Sequence, residues 1–195
     1  MLICPLDYRY GRSEMKAVFS EENNLRTKLQ VEAALARAHA AVGGIPAQAA
    51  AEITRKATLD FVTLERVREI EAETRHDIMS MVKALSEASG EAGRYVHLGA
   101  TSNDIVDTAM ALQFKAMLDI IDRDLDGMIS VLADQASRYR ATPMMGRTHG
   151  QFAIPTTFGF KLAGYLSEML RHKERVGEMR KRLCVGKMSG AIGTG

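Results

Sequence analysis

The sequence predicts an all-α protein, on three observations. Apolar residues recur at spacings of three and four, and no segment alternates apolar and polar residues for long, which is the helical period. Proline is scarce, at 4 of 195 residues, while methionine, an unbranched and good helix former, numbers 12. Tryptophan is absent and aromatics are only 6%, so the core must rest on Leu, Ile, Val, Ala and Met. A small helical domain is expected over residues 1–99. The first long helices of a central helical-bundle domain are expected over residues 100–195.

Residues 1–12 read as irregular, with Pro5 and Gly11. Ser13 suits the cap of a short helix through Phe19. Ser20 starts a stronger helix, with Glu21 and Glu22 near the positive end of its dipole. Leu25, Leu29, Ala33 and Ala36 lie at helical spacing, and Gly43-Gly44 stops the helix. Pro46 suits the first turn of a helix to about Lys56. Thr63 opens another, to about Glu73. Asp77 begins a fourth through Ser89, ended by Gly90, and residues 95–99 read as extended.

From Ser102 to about Tyr139 runs one long helical pattern without a stop, with Ser102 and Asp104 as cap and favourable early charge. Lys115, Asp119, Asp122 and Asp126 form a polar stripe on it. Apolar rows, Ile105 to Ala116 and Val106 to Met128, fill the rest. A helix so broadly apolar belongs between several others. Thr142-Pro143 begins a loop that holds His149 and ends near Pro155. Thr156 or Thr157 caps a second long helix to about Leu183, and residues 186–195 form a Gly-rich loop. Two such helices cannot bury their faces against each other alone, so the chain is expected to be the front part of a longer protein.

The net charge is +2, from 26 basic and 24 acidic residues, too balanced for a nonspecific nucleic-acid binder. The basic run from Arg171 to Arg182 is broken by Glu174 and Glu178 and reads as a solvated helix face. Cys4 and Cys184 make neither a disulfide scaffold nor a zinc site. No signal peptide or apolar run of spanning length is seen. A cytoplasmic protein with no membrane or nucleic-acid partner is expected.

Chemistry-bearing residues gather at helix boundaries. His149 lies between Gly146-Arg147-Thr148 and Gly150, where a backbone comes close to a ligand. An imidazole there can donate a proton to a leaving group, and Arg147 and Thr148 can bind an anion. A loop histidine bonded to its own loop would need the same residues. Arg75 and His76 precede Asp77, which can serve as an N-cap. His97 precedes Gly99-Ala100-Thr101-Ser102, where hydroxyls and free N–H groups at a helix head make an anion site. Capping alone would also use them. Arg9 and Tyr10 could bind a phosphate and stack on a base. Gly186-Lys187 is not a phosphate loop, because Met188 replaces the hydroxyl residue and no strand precedes it. Lys187 remains a candidate carboxylate-binding cation. His39 and His172 read as structural.

These elements, in this order, resemble the fumarase/aspartase superfamily and, within it, the adenylosuccinate lyase family. The resemblance rests on Tyr8-Arg9-Tyr10, Glu73-Thr74-Arg75-His76-Asp77, His97 with residues 99–108, residues 146–151 and residues 186–191. It implies elimination of fumarate from adenylosuccinate and from the succinyl-carboxamide ribotide of purine synthesis. It makes His149 the general acid, while His76 would support it or bind substrate, with Arg75 and Asp77 beside it. Thr101 and Ser102 would hold a succinyl carboxylate, Arg9 and Tyr10 the nucleotide phosphate, and His97 and Lys187 would be further substrate contacts. No metal or organic cofactor is implied. The family builds each site from three subunits of a homotetramer and takes its base from a serine loop of the form Ser-Ser-x-Met-Pro-x-Lys. That loop is absent here, so the 195-residue chain is expected to be inactive alone. A sister lyase such as argininosuccinate lyase, a carboxymuconate cycloisomerase and a non-catalytic helical assembly module remain open.

Overall fold

The computed structural model describes residues 10–194. The elements run α1 (Ser13–Val18), α2 (Glu21–Ala41), α3 (Ala47–Lys56), α4 (Leu64–Thr74), α5 (Asp77–Ser89), a 3-10 helix (Gly90–Tyr95), α6 (Ser102–Arg138), β1 (Pro143–Thr148), β2 (Gln151–Thr157) and α7 (Phe158–Leu183). The mainly helical class is as expected. The two-stranded sheet was not.

Local chemistry sets the boundaries. Ser20 Oγ accepts from Asn23 N–H at 3.2 Å, and Thr63 Oγ1 from Arg66 N–H at 3.2 Å, so each caps its helix as its residue type favours. Ser13 does not cap α1, because Arg12 holds that position with extended backbone. Pro46, with no N–H to leave unpaired, stands just before α3. Residues 95–99 are not extended. Ser86 Oγ donates to Gly93 O at 3.1 Å, and the chain turns through a 3-10 helix closed by Val96 N–H on Gly93 O.

The chain divides into two compact units, residues 1–116 with 184–195, and residues 117–183. In the first, α2 packs on α3 and α4 on α5, around a core that includes Leu29, Ile53, Val62, Ile78, Met81, Leu85 and Ile105. Each such side chain stabilises by roughly 1.5–3 kcal/mol when fully withdrawn from water. Gln113 on α6 is buried and donates to Val18 O at 2.8 Å while accepting from Asn24 Nδ2 at 3.3 Å.

The second unit holds the rest of α6, the hairpin and α7. The strands pair antiparallel, Pro143 with Thr157 and Thr148 with Gln151, with a bulge between Met145 and Arg147. The hairpin replaces the expected loop. Tyr139 and Thr142 carbonyls accept from Gly159 and Phe158 N–H groups, both at 2.9 Å. A Cβ at Gly159 would lie 2.5 Å from Ala136 O, so only glycine permits this approach. Thr157 is the cap of α7, accepting from Phe160 N–H at 3.2 Å. The basic run on α7 is more than a solvated face. Lys173 reaches Asp122 and Asp126, and Arg180 reaches Asp119 at 2.6 Å, so the acidic stripe of α6 finds its counter-charges there. Met128 and Val131 on α6, and Phe160 and Tyr165 on α7, stay exposed in the single chain.

Candidate active site

The corner between α4 and α5 carries Arg75, His76 and Asp77. Arg75 ends α4 in the left-handed region, at φ 54°, with its N–H on Glu71 O at 2.8 Å. The capping role expected of Asp77 falls to His76, whose Nδ1 accepts from Met79 N–H at 3.3 Å. The reason lies in the backbone. His76 is the extended residue, and Ser80 Oγ ties the corner together by donating to His76 O at 2.6 Å and meeting Thr74 Oγ1 at 2.7 Å. Asp77 is therefore already helical, with its carboxylate 3.7 Å from the His76 ring. A neutral ring that accepts at Nδ1 carries its proton on Nε2. The corner thus exposes a guanidinium, a ring N–H and a carboxylate.

Four more candidates meet at the head of α6: His97, Thr101, Ser102 and Lys187. The sequence expected of Asp104 only a favourable charge near the helix terminus. The structure makes it the organising group. Asp104 is fully buried, and its carboxylate accepts from Thr101 N–H at 3.1 Å and from Ser189 and Gly190 N–H groups at 3.0 Å. Lys187 Nζ stands 3.4 Å away. Burial pushes this carboxyl upward, but the Ser189, Thr101 and Gly190 N–H groups with the Lys187 ammonium outweigh it, lowering the pKa to about 2. Thr108 Oγ1 adds a second tie, accepting from Lys187 N–H at 2.9 Å and donating to Lys187 O at 3.0 Å. The Gly-rich loop is thereby docked on the helix that bears Thr101 and Ser102. The Thr101 and Ser102 hydroxyls have no hydrogen-bond partner among the described residues, and the first helical N–H groups face no earlier turn.

His97 sits in the turn before this helix at φ 61°. Its Nδ1 is 2.6 Å from Glu32 Oε1, and its N–H donates to Glu32 Oε2 at 3.1 Å. Sequence reading missed Glu32. The signal was a carboxylate on the α2 face that also carries Leu25, Leu29 and Ala36. His39, read as structural, holds Leu98 O at 2.9 Å.

His149 belongs to the second unit. With Gly150 it forms the two-residue turn of the hairpin, at φ 50° and 73°. Positive φ at both central positions is what a tight hairpin turn requires, and Gly150 meets it without strain. The His149 ring is exposed and has no hydrogen-bond partner among the described residues. Arg147 lies over the Phe152 ring at 5.1 Å. Tyr10 is 64% exposed beside a cavity lined by Met15, Lys16 and Phe19. Arg9 lies outside the described residues. Among the described residues no group of His, Cys, Asp and Glu is placed to hold a metal, and no helix is long and apolar enough to cross a membrane.

A family model described as lyase matches residues 7–195. An adenylosuccinate lyase from Pyrococcus horikoshii is 55% identical over 194 residues, covering all of this chain and 43% of that protein. One from Methanocaldococcus jannaschii is 51% identical over 195 residues, covering 42% of its length. The chain thus spans about two fifths of the length of these curated relatives. Among solved structures, a fumarate lyase from Mesorhizobium sp. BNC1 is 43% identical with a TM-score of 0.88, over 95% of this chain and 45% of that one. A 3-carboxy-cis,cis-muconate lactonizing enzyme from Pseudomonas putida is 38% identical with a TM-score of 0.90, over 97% of this chain and 44% of that one.

Proposed function

The chain belongs to the lyase family, and from that premise we propose that it supplies the acid and substrate-anchoring side of an adenylosuccinate lyase. The observation that carries this reading is the identity to adenylosuccinate lyases, 55% and 51% over the whole of this chain. The geometry supports it, because His149 is presented at a turn tip with its ring nitrogens uncommitted.

In the proposed reaction the base that the resemblance places on a serine loop, absent from these 195 residues, takes the proton from the carbon next to a succinyl carboxylate. The electron pair of the broken C–H bond is delocalised into that carboxylate. The C–N bond then breaks, a C=C bond forms, and fumarate leaves. The departing nitrogen takes a proton from the His149 ring, so AMP leaves as a neutral amine. The same steps apply to the succinyl-carboxamide ribotide. The Thr101 and Ser102 hydroxyls and the free N–H groups at the head of α6 would hold a carboxylate and favour the charge that develops there. Lys187, docked through Asp104, adds a cation. His76, with its proton on Nε2, would donate to substrate or support His149, beside Arg75 and Asp77. His97 would be a further contact, and Arg9 and Tyr10 would take the nucleotide phosphate. The reading assigns no metal or organic cofactor.

The same reading makes the protein a cytoplasmic homotetramer with no nucleic-acid or membrane partner. The exposed Met128, Val131, Phe160 and Tyr165 support an assembly that covers them. Light scattering after size-exclusion chromatography tests that.

The reaction is tested by fumarate release from the full-length gene product, with adenylosuccinate and argininosuccinate side by side. Activity on adenylosuccinate alone, reduced at least about a hundredfold by His149→Ala, is the expected result. Activity on neither substrate would overturn the reading. A sister reaction without a nucleotide is the second reading, favoured by the likeness to the muconate enzymes. Arg9→Ala separates the two, since it should raise KM only for a substrate that carries a phosphate.

A further inference from the structure

Glu32 stands in the middle of α2 with 1% exposure, on the face that carries Leu25, Leu29 and Ala36. A carboxylate in such a place is costly unless both oxygens find donors. Both find them on one residue. Oε2 accepts from the His97 N–H, and Oε1 is 2.6 Å from Nδ1 of the same residue. This two-point grip also holds His97 at φ 61°, a conformation that a residue with a Cβ rarely adopts.

A carboxylate can only accept hydrogen bonds. With one oxygen on a backbone N–H, the other needs a proton on Nδ1. We propose that Glu32 is a positioning residue for His97: it locks the ring proton on Nδ1 and leaves Nε2 as the ring's one site of proton exchange, free for substrate. The inference rests on the reading of His97 as a substrate contact, and it specifies what kind of contact. While the ring is neutral Nε2 is an acceptor, suited to a hydroxyl or N–H group of the substrate. Nε2 has no hydrogen-bond partner among the described residues, and the side chain is 12% exposed. His76 has the opposite assignment, since its Nδ1 accepts a backbone N–H and its Nε2 donates. The two histidines thus offer complementary groups, one acceptor and one donor.

The test is 15N NMR of histidine-labelled protein at a pH where the rings are neutral, with His97→Gln to assign the signal. His97 is expected to carry its proton on Nδ1. In Glu32→Gln the backbone N–H claims the amide oxygen, which turns the amide NH2 toward Nδ1. The ring must then move its proton to Nε2. Fumarate-forming kcat/KM should fall at least about tenfold, as when other groups that orient a histidine are lost. Glu32→Asp should return the proton to Nδ1 and recover part of the rate. A wild-type ring protonated on Nε2 overturns the proposal, and needs no variant to be folded. So does a Glu32→Gln ring that inverts with kcat/KM unchanged. Absence of fumarate release by the wild type would defeat the elimination reading alone, leaving the NMR result to decide the role of Glu32.

Discussion

Asp104 at the head of α6 is fully buried, and its carboxylate oxygens are committed to three backbone N–H groups and the Lys187 ammonium. His149 at the hairpin tip is exposed, with no hydrogen-bond partner among the described residues and with φ at 50°. Both residues sit where the chain reverses or a helix begins, yet their physical situations are opposite. Asp104 is saturated, so it can organise neighbours but has nothing left for a ligand. His149 is unsatisfied and mildly strained, so its surroundings explain its position but not its presence. The contrast accords with the proposed roles, in which Asp104 builds the site and His149 works in it.

The largest expected effect breaks the first half of that comparison. Asp104→Ala leaves the Thr101, Ser189 and Gly190 N–H groups without their acceptor and the Lys187 ammonium without its partner. A loss of about 3 kcal/mol is expected, as for other broken buried charged networks. Thermal unfolding reads it, and faster hydrogen exchange at Ser189 and Gly190 locates it. His149→Ala breaks the other half. Unfolding should shift by no more than about 1 kcal/mol, the cost of alanine in the left-handed turn, while kcat should fall at least about a hundredfold, or about 2.7 kcal/mol of barrier. A large stability loss on His149→Ala would mean that the two regions are built alike.

The two regions were not equally legible in the sequence. Helices with capping side chains and apolar periodicity were readable, as Ser20, Thr63 and Thr157 show. The hairpin was not. Its strands bury little, so no alternation of apolar and polar residues marks them, and the bulge between Met145 and Arg147 breaks what register there is. The histidines were visible as residue types, but their partners were not. Glu32 is 65 residues before His97, and Ser189 is 85 residues after Asp104, and a single sequence carries no sign of such long-range pairing. The cap was placed on Asp77 instead of His76 for a local reason: the extended residue of the corner comes one position before the acidic residue that usually caps.

Acid sharpens the Asp104 side further, with a smaller and reversible effect. Its carboxyl is held at about 2, below the ordinary 3.8. A depressed carboxyl contributes stability that is fully present above the unfolded value and is lost as pH falls through the folded one. Protection of the Ser189 and Gly190 amides should therefore hold down to about pH 4 and fall between that and pH 2. The hairpin amides, with no buried carboxylate beneath them, should not follow the same curve. Hydrogen exchange followed by NMR across this window checks both statements, and parallel loss in the two places would remove the contrast.

The smallest effect is the most discriminating. A two-residue turn with positive φ at both positions favours Asn-Gly above other pairs. Here the second position already holds Gly150, while the first holds His149. Asparagine enters the left-handed region readily because its short side chain can bond its own backbone. His149→Asn should then stabilise the hairpin by roughly 0.5 kcal/mol, too little to matter for folding but measurable as a rise in the unfolding midpoint. The same change removes the only ring at the turn tip, so kcat should fall as far as in His149→Ala. Opposite signs for stability and activity at one residue are what a functional group placed against local preference must give. If His149→Asn instead lowered stability, the ring would be holding the turn together, and the case for its role as the acid would weaken in proportion.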